Sequence, residues 1–437
     1  MPTLSVAMIV KNEAQCLARC LKSVRHIADE IVVCDTGSTD GTPGVAEAHG
    51  AIVHRIPWQD DFAAARNQAL KYSTGDWILH LDADEALDRD GAARVRAVVD
   101  EDGHGADAVE VTLANYCNDI RAWRWRPIKP GDPMAGGFAG AIPAPLLRLF
   151  RNGRGFEYRE PVHENITESV RERGGVIRTE PVVIHHYGYA CEPEKARQKA
   201  RLYLDIARRK AGERPDDPKA WIDLAEQALA AGETGEAESA AARAAALAPG
   251  EIAPASSLAN LLLVRGAFDE ARRVLEPFAG PGTPAHVLTA LGAVAFRQGR
   301  MREARDLLER AVAEHPWAVQ ARGCLARVLE AEGEPEAARV MLEAAVRTAP
   351  GVKELSGRLD AHDARREAQS ALANGKLAEA LKSIRETLAL DPEDPLAHLA
   401  AAAALEKAGQ LAAAEKCRSQ AVQLCAALGK KAAEPGF

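Results

Sequence analysis

The sequence predicts two structural grammars in tandem. An α/β domain with a mostly parallel sheet and helices on both faces comes first, and an all-α solenoid of stacked helix pairs follows. Three observations carry this reading. Short apolar runs alternate with helical segments over roughly the first ninety residues. From residue 192 onward only helical patterning remains. Within that second part, glycines recur with a period near 34 residues.

Apolar runs at 4–10, 29–34, 51–53 and 77–81 read as buried strands, with helical segments near 14–26, 40–49 and 61–73 between them. Such β-α-β spacing builds a mostly parallel sheet covered on both faces. Ligands bind such sheets at the carboxyl ends of the strands. The polar residues there are Lys11-Asn12-Glu13, Asp35-Thr36-Gly37-Ser38-Thr39-Asp40-Gly41 and Asp82-Ala83-Asp84-Glu85. The domain boundary is expected between 191 and 192.

In the second part Gly232, Gly266, Gly299, Gly333, Gly375 and Gly409 keep phase with Ala237, Ala271, Ala304, Ala338, Ala380 and Ala414, each five residues later. Pro249, Pro316, Pro350 and Pro392 fall seventeen residues after four of these glycines. Glycine admits the left-handed turn between paired helices, alanine lets them approach, and proline ends the second helix. The longer interval from Gly333 to Gly375 implies about eight extra residues around 351–368. This pattern resembles the tetratricopeptide repeat, as does the opening Trp221-Ile222-Asp223-Leu224-Ala225. The resemblance implies a concave surface for a peptide or protein. A purely structural or dimerising solenoid, giving a homodimer, is the alternative.

Composition narrows the function classes. The chain has 437 residues, 47% hydrophobic and 27% charged, with a net charge of −8. That balance speaks against non-specific nucleic-acid binding, which needs a basic face. No apolar run approaches the length of a membrane span. Residues 4–10 read as a first strand and not as an export signal, since no cationic stretch precedes them. Eight cysteines are scattered without a CxxC pair or a Cys/His cluster at zinc spacing. Cys16 and Cys20 lie one helical turn apart and read as small apolar helix residues. Free thiols without an export signal point to the cytoplasm.

No Walker A loop and no GxGxxG follows the first two strands, which disfavours P-loop and dinucleotide-binding chemistry. Carboxylates at strand ends remain. Asp82 and Asp84 are two apart, so an extended chain would send them to one side. Two close carboxylates repel unless a cation relieves them, and hard oxygen ligands suit Mg2+ or Mn2+. Taken alone, such a pair is a solvated acidic turn in most proteins.

Four ordered motifs supply the context. They are Val10-Lys11-Asn12-Glu13, the stretch from Asp29 to Thr42, Asp61-Phe62-Ala63-Ala64-Ala65-Arg66-Asn67, and the stretch from Thr74 to Glu85. Together they resemble the family 2 (GT-A) glycosyltransferases. Leu147-Arg148-Leu149-Phe150-Arg151-Asn152, Glu160-Pro161-Val162-His163-Glu164 and Ile184-His185-His186-Tyr187-Gly188-Tyr189 resemble a subgroup that also carries tetratricopeptide repeats, the bacteriocin (sublancin-type) enzymes. Residues 115–145, with Trp123, Trp125 and Gly136-Gly137, match no motif.

The resemblance implies an inverting, metal-dependent transfer of a hexose or N-acetylhexosamine from a UDP-sugar donor. It implies donor contacts from Lys11, Asn12, Glu13, Asp35, Arg66, Asn67, Asp82 and Ala83, with Asp35 at the base and Asp82 at the ribose. It places Asp84 on the metal. Glu164 is the first choice for the base that deprotonates the acceptor and Glu160 the second, with His163 as helper or ligand. Glu160 and Glu164 as mere acceptor contacts is the plainer alternative. Alternation along a strand allows one of His185 and His186 into the site, and His186 is favoured as a metal ligand. The expected acceptor is a peptide or protein side chain held by the repeats. A small-molecule or glycan acceptor and a non-catalytic repeat adaptor are the competing readings.

Overall fold

The computed structural model describes residues 1–120, 122, 124–161, 164–188 and 193–426, with side chains left aside at 193–199 and 202. The chain divides into two compact units. The first comprises residues 1–117 and 141–237, the second residues 118–140 and 238–437.

The first unit opens with β1 (Leu4–Val10), α1 (Leu17–Val24), β2 (Glu30–Asp35), α2 (Thr42–Ala48), β3 (Ile52–Arg55), α3 (Phe62–Tyr72) and β4 (Trp77–His80). These are the expected elements, with ends that differ by at most three residues. They continue into β5 (Glu85–Leu87), α4 (Arg89–Asp100) and β6 (Ala108–Cys117). A two-residue strand, β7 (Arg126–Pro127), lies in the second unit. Then come β8 (Gly140–Arg151), α5 (Thr167–Glu172) and β9 (Ile177–His186), followed by helices α6 (Pro193–Glu213) and α7 (Pro218–Ala231).

The sheet order is β3-β2-β1-β4-β8-β6-β9-β5. Its first four strands are parallel, with Val10 opposite Asp35 and Ala7 opposite His80. The carboxyl ends of β1, β2 and β4 therefore emerge along one edge, and the three polar loops with them. The sheet is mostly parallel, as expected, and becomes mixed beyond β4. β8 pairs antiparallel with β4, and β5 antiparallel with β9, while β6 and β9 are parallel. The core is laid down by Leu4, Val6, Met8, Leu17, Leu21, Val33, Trp77 and Leu79, all fully buried. Each such side chain contributes about 1.5–3 kcal/mol relative to exposure.

The helical part continues with α8 (Thr234–Leu247), α9 (Ile252–Arg265), α10 (Phe268–Leu275), α11 (Ala285–Arg297), α12 (Met301–Glu314), α13 (Val319–Glu332) and α14 (Pro335–Thr348). It ends with α15 (Lys353–Ala373), α16 (Leu377–Leu390), α17 (Pro395–Lys407) and α18 (Leu411–Leu424). The six phased glycines all have positive φ, from 72° to 89°, just past the first helix of each pair. The six phased alanines are all fully buried. Each of the four phased prolines falls two residues beyond the end of a helix. The long interval is absorbed inside α15, which runs for 21 residues where α13 has 14. Among the described residues no helix is long and apolar enough to cross a membrane.

Candidate functional site

The loops after β1 and β2 are knitted to each other. Asp35 ends β2 almost fully buried and accepts the Ser38 backbone N–H at 3.0 Å. Asn12 sits in the left-handed region, which asparagine tolerates, at φ 59°. Its Oδ1 accepts the Thr39 N–H at 2.7 Å, and its own N–H donates to Ser38 Oγ. The Glu13 N–H donates to Thr42 Oγ1, and the Glu13 carboxylate accepts from the Cys16 thiol at 2.9 Å. Lys11 is exposed beside them, and Cys20 lies in the hydrophobic core.

After β4 the chain turns and does not stay extended. The Glu85 N–H donates to Asp82 O at 3.0 Å, and the Asp82 N–H donates to Glu85 Oε2 at 2.9 Å. The aspartates were expected on one side of an extended chain, and the turn gives them different hydrogen-bond partners.

Asp82 is the open end of a buried ion cluster. Arg66 NH1 donates to its Oδ1 at 2.9 Å, and Arg148 NH2 donates to its Oδ2 at 3.3 Å. Arg66 also binds Glu164 Oε1 at 2.5 Å, and Arg148 binds Glu85 Oε1 at 2.7 Å. Side-chain exposure falls from 30% at Asp82 and 14% at Glu164 to 9% at Arg148, 8% at Arg66 and 1% at Glu85. His80 lies against both arginines and hydrogen-bonds the Tyr158 hydroxyl at 2.6 Å. Burial and the two guanidinium charges keep its imidazole neutral, well below the ordinary histidine range. Burial opposes the Asp82 charge, but Arg66 and Arg148 outweigh it and hold this carboxyl well below the usual range. Burial pushes Glu85 up to about 7 against the pull of Arg148.

Asp84 is partnered by His186. Alternation along β9 sends His185 to the Tyr116 hydroxyl at 2.6 Å and His186 to Asp84, with Nε2 3.2 Å from Oδ2. Asn115 fixes that ring. Its Nδ2 donates to Ile142 O at 3.1 Å, so its Oδ1 is the atom that faces His186 Nδ1 at 2.7 Å. Nδ1 then carries the proton, and a neutral ring presents a lone pair at Nε2 to a carboxylate oxygen. Two acceptors at that distance repel unless a proton or cation joins them. Burial works to discharge His186, yet its hydrogen bond to Asp84 and the nearby carboxylates win and raise its pKa. Gly188 leaves this pair open, since a Cβ there would lie 2.6 Å from Nε2 and 2.9 Å from Oδ2. One carboxylate and one oriented imidazole, with no side chain on Gly188 to cover them, fit a small divalent cation that keeps further ligands from phosphate or water. Among the described residues no group of three His, Cys, Asp or Glu side chains gathers for a metal.

The remaining candidates are placed as follows. Asn67 spends its amide on the Tyr158 backbone, donating to the carbonyl at 2.9 Å and accepting the N–H at 2.8 Å. Ala83 is buried in the core. Glu160 pairs with Arg214 at 2.6 Å. His163 lies outside the described residues. Sequence reasoning gave no role to Arg148, His80, Tyr158 or Asn115. The available signal was Arg148 itself, a cation inside the apolar run Leu146-Leu147-Arg148-Leu149-Phe150.

Residues 5–166 match the Glycosyl transferase family 2 profile, and residues 295–359 and 365–423 match tetratricopeptide repeat profiles. The chain is similar to the TPR repeat-containing protein Synpcc7942_0270 of Synechococcus elongatus. The identity is 36% over 218 residues, 47% of this chain and 48% of that protein. It is also similar to the SPbeta prophage-derived glycosyltransferase SunS of Bacillus subtilis. Here the identity is 24% over 226 residues, 51% of this chain and 48% of that protein. The chain thus spans about half the length of these curated relatives. Among solved structures, glucosyl-3-phosphoglycerate synthase from Mycobacterium tuberculosis with Mn2+, UDP and glucosyl-3-phosphoglycerate aligns at 17% identity. The alignment covers 47% of this chain and 78% of that one, with a TM-score of 0.32. The chain therefore carries an N-terminal family 2 glycosyltransferase domain and, C-terminal to it, tetratricopeptide repeats.

Proposed function

We propose that the protein is an inverting glycosyltransferase that moves a hexose or N-acetylhexosamine from a UDP-sugar to a peptide or protein side chain. Residues 1–191 carry the chemistry, and residues 192–437 hold the acceptor. The observation that carries this reading is the Asp84–His186 pair, with its facing acceptors and the open side left by Gly188, following Asp82 at the end of β4. Asp84 and His186 would hold Mg2+ or Mn2+, which when bound neutralises the departing diphosphate. Asp82 receives the ribose hydroxyls, and the loop of Asn12, Glu13 and Asp35 receives the uracil. Glu164 takes the proton of the acceptor hydroxyl or thiol as that atom bonds to the anomeric carbon and the bond to the diphosphate oxygen breaks. Arg66 holds the Glu164 carboxylate by a 2.5 Å contact, which fixes its direction. With only 7% of its surface exposed, Arg66 itself aligns Asp82 and Glu164 more than it touches a donor.

The test is a panel of nucleotide sugars incubated with the full chain, with Mn2+ or with a chelator, reading released UDP by mass spectrometry. UDP release from at least one UDP-sugar, lost in the chelator and in Asp84→Ala, is expected. Release that persists in both would sink the proposed site, and none from any donor would sink the activity.

A further inference from the structure

We propose that Arg148 is a positioning residue for donor binding: it locks the Asp82–Glu85 turn and sets the direction of the Asp82 carboxylate. The inference rests on the donor role given to Asp82 above. Leu79 pairs with Leu149 across the antiparallel β4/β8 ladder, and one step further along Arg148 comes beside His80. From there its NH2 reaches two carboxylates at once, Glu85 at 2.7 Å and Asp82 at 3.3 Å. Glu85 in turn accepts the Asp82 backbone N–H at 2.9 Å. A ring is closed in this way, from the Asp82 backbone through Glu85 and Arg148 back to the Asp82 side chain. Arg66 holds Asp82 from the other side through both oxygens, at 2.9 and 3.4 Å. A carboxylate gripped by two guanidinium groups, yet still 30% exposed, is pre-aimed at whatever meets it from solvent.

The plainer role for Arg148 is to neutralise buried Glu85. The two roles separate cleanly. Replacing a buried ion pair by matched neutral side chains is often tolerated by the fold, so a structural pair would be silent after such a swap. A positioning residue would not be. A lysine also fails to substitute, because a single ammonium does not reproduce a planar fork that reaches Asp82, Glu85 and His80 together.

The experiment measures UDP binding to the full chain in Mn2+ by calorimetry, alongside thermal melting, for wild type, Asp82→Ala, Arg148→Lys and the double variant Arg148→Met/Glu85→Gln. The double variant is expected to melt close to wild type and to bind UDP about tenfold more weakly, the scale seen when an outer partner of a ligand-holding group is lost. Arg148→Lys should weaken binding as well, and Asp82→Ala by at least as much. In UDP-sugar hydrolysis the loss should fall mainly on KM. Wild-type affinity in a folded double variant, or in a folded lysine variant, overturns the proposal. If the wild type binds UDP but Asp82→Ala binds equally well, the donor role of Asp82 fails instead.

Discussion

Two buried ion clusters, one in each unit, are built from the same residue types but finished differently. In the sheet unit, Arg66 and Arg148 face Asp82, Glu85 and Glu164, and exposure rises to 30% at Asp82. In the repeat unit, Arg365 from α15 bridges Glu330 of α13 and Asp394 at the start of α17, with His362 against Glu330. There no side chain exceeds 8% exposure. Asp394 also caps α17 by accepting the Leu396 and Ala397 N–H groups at 2.9 and 3.1 Å. The second cluster is sealed, and every charge in it faces protein. Its business is to register three helix pairs. The first keeps one carboxylate open to solvent, and under the proposed function that opening is where the donor binds.

The largest expected effect comes from breaking the sealed cluster. Arg365→Met leaves Glu330 and Asp394 buried without their cation, which costs about 3–5 kcal/mol. Urea denaturation followed by circular dichroism should show the helical transition at a much lower midpoint. UDP binding under native conditions should stay at the wild-type level. If the midpoint barely moves, the cluster is not what registers the repeats.

The next effect is smaller and falls on the open side. Asn115→Ala removes the partner that orients His186. Mn2+ affinity in the presence of UDP should fall about tenfold, the usual cost of losing an outer partner of a metal-binding histidine. Gly188→Ala, whose Cβ would crowd both Nε2 and Oδ2, should weaken Mn2+ in the same assay without shifting the melting temperature. A wild-type Mn2+ titration in either variant would remove the reason for pairing His186 with Asp84.

The architecture was legible where a pattern is local. The parallel half of the sheet follows from alternating runs, and the solenoid follows from glycines that take positive φ at the turn inside each helix pair. The split of His185 and His186 to different partners was legible too, since successive strand residues face opposite ways. Long-range polar partnership was not. Asn67 reads as a donor contact by its motif, yet its amide is spent on the Tyr158 backbone 91 residues away. Arg148 hides in a strand that reads as core, and its meaning depends on a register with β4 that no local pattern encodes. The reversal at Glu85 depended on a side chain closing its own turn.

The smallest effect concerns a single titration in the repeat unit, at a group that lies between the two extremes of exposure. His286 on α11 is half-buried, and its Nε2 lies 2.9 Å from Ser256 Oγ. Burial, then Arg126 and His315, push its imidazole down from 6.5 to about 4. The folded chain thus prefers the neutral ring, while the unfolded chain takes up a proton near 6.5. Unfolded protein binds more protons in that window, so stability rises with pH across it. The contribution is whole above 6.5 and is lost as pH falls toward 4. An NMR titration should place His286 near 4, and His286→Asn should flatten the dependence of the melting temperature on pH between those values. A His286 that titrates near 6.5 would show that Arg126 and burial exert no such hold, and that partial exposure is enough to make a charge in this unit behave as if it were in water.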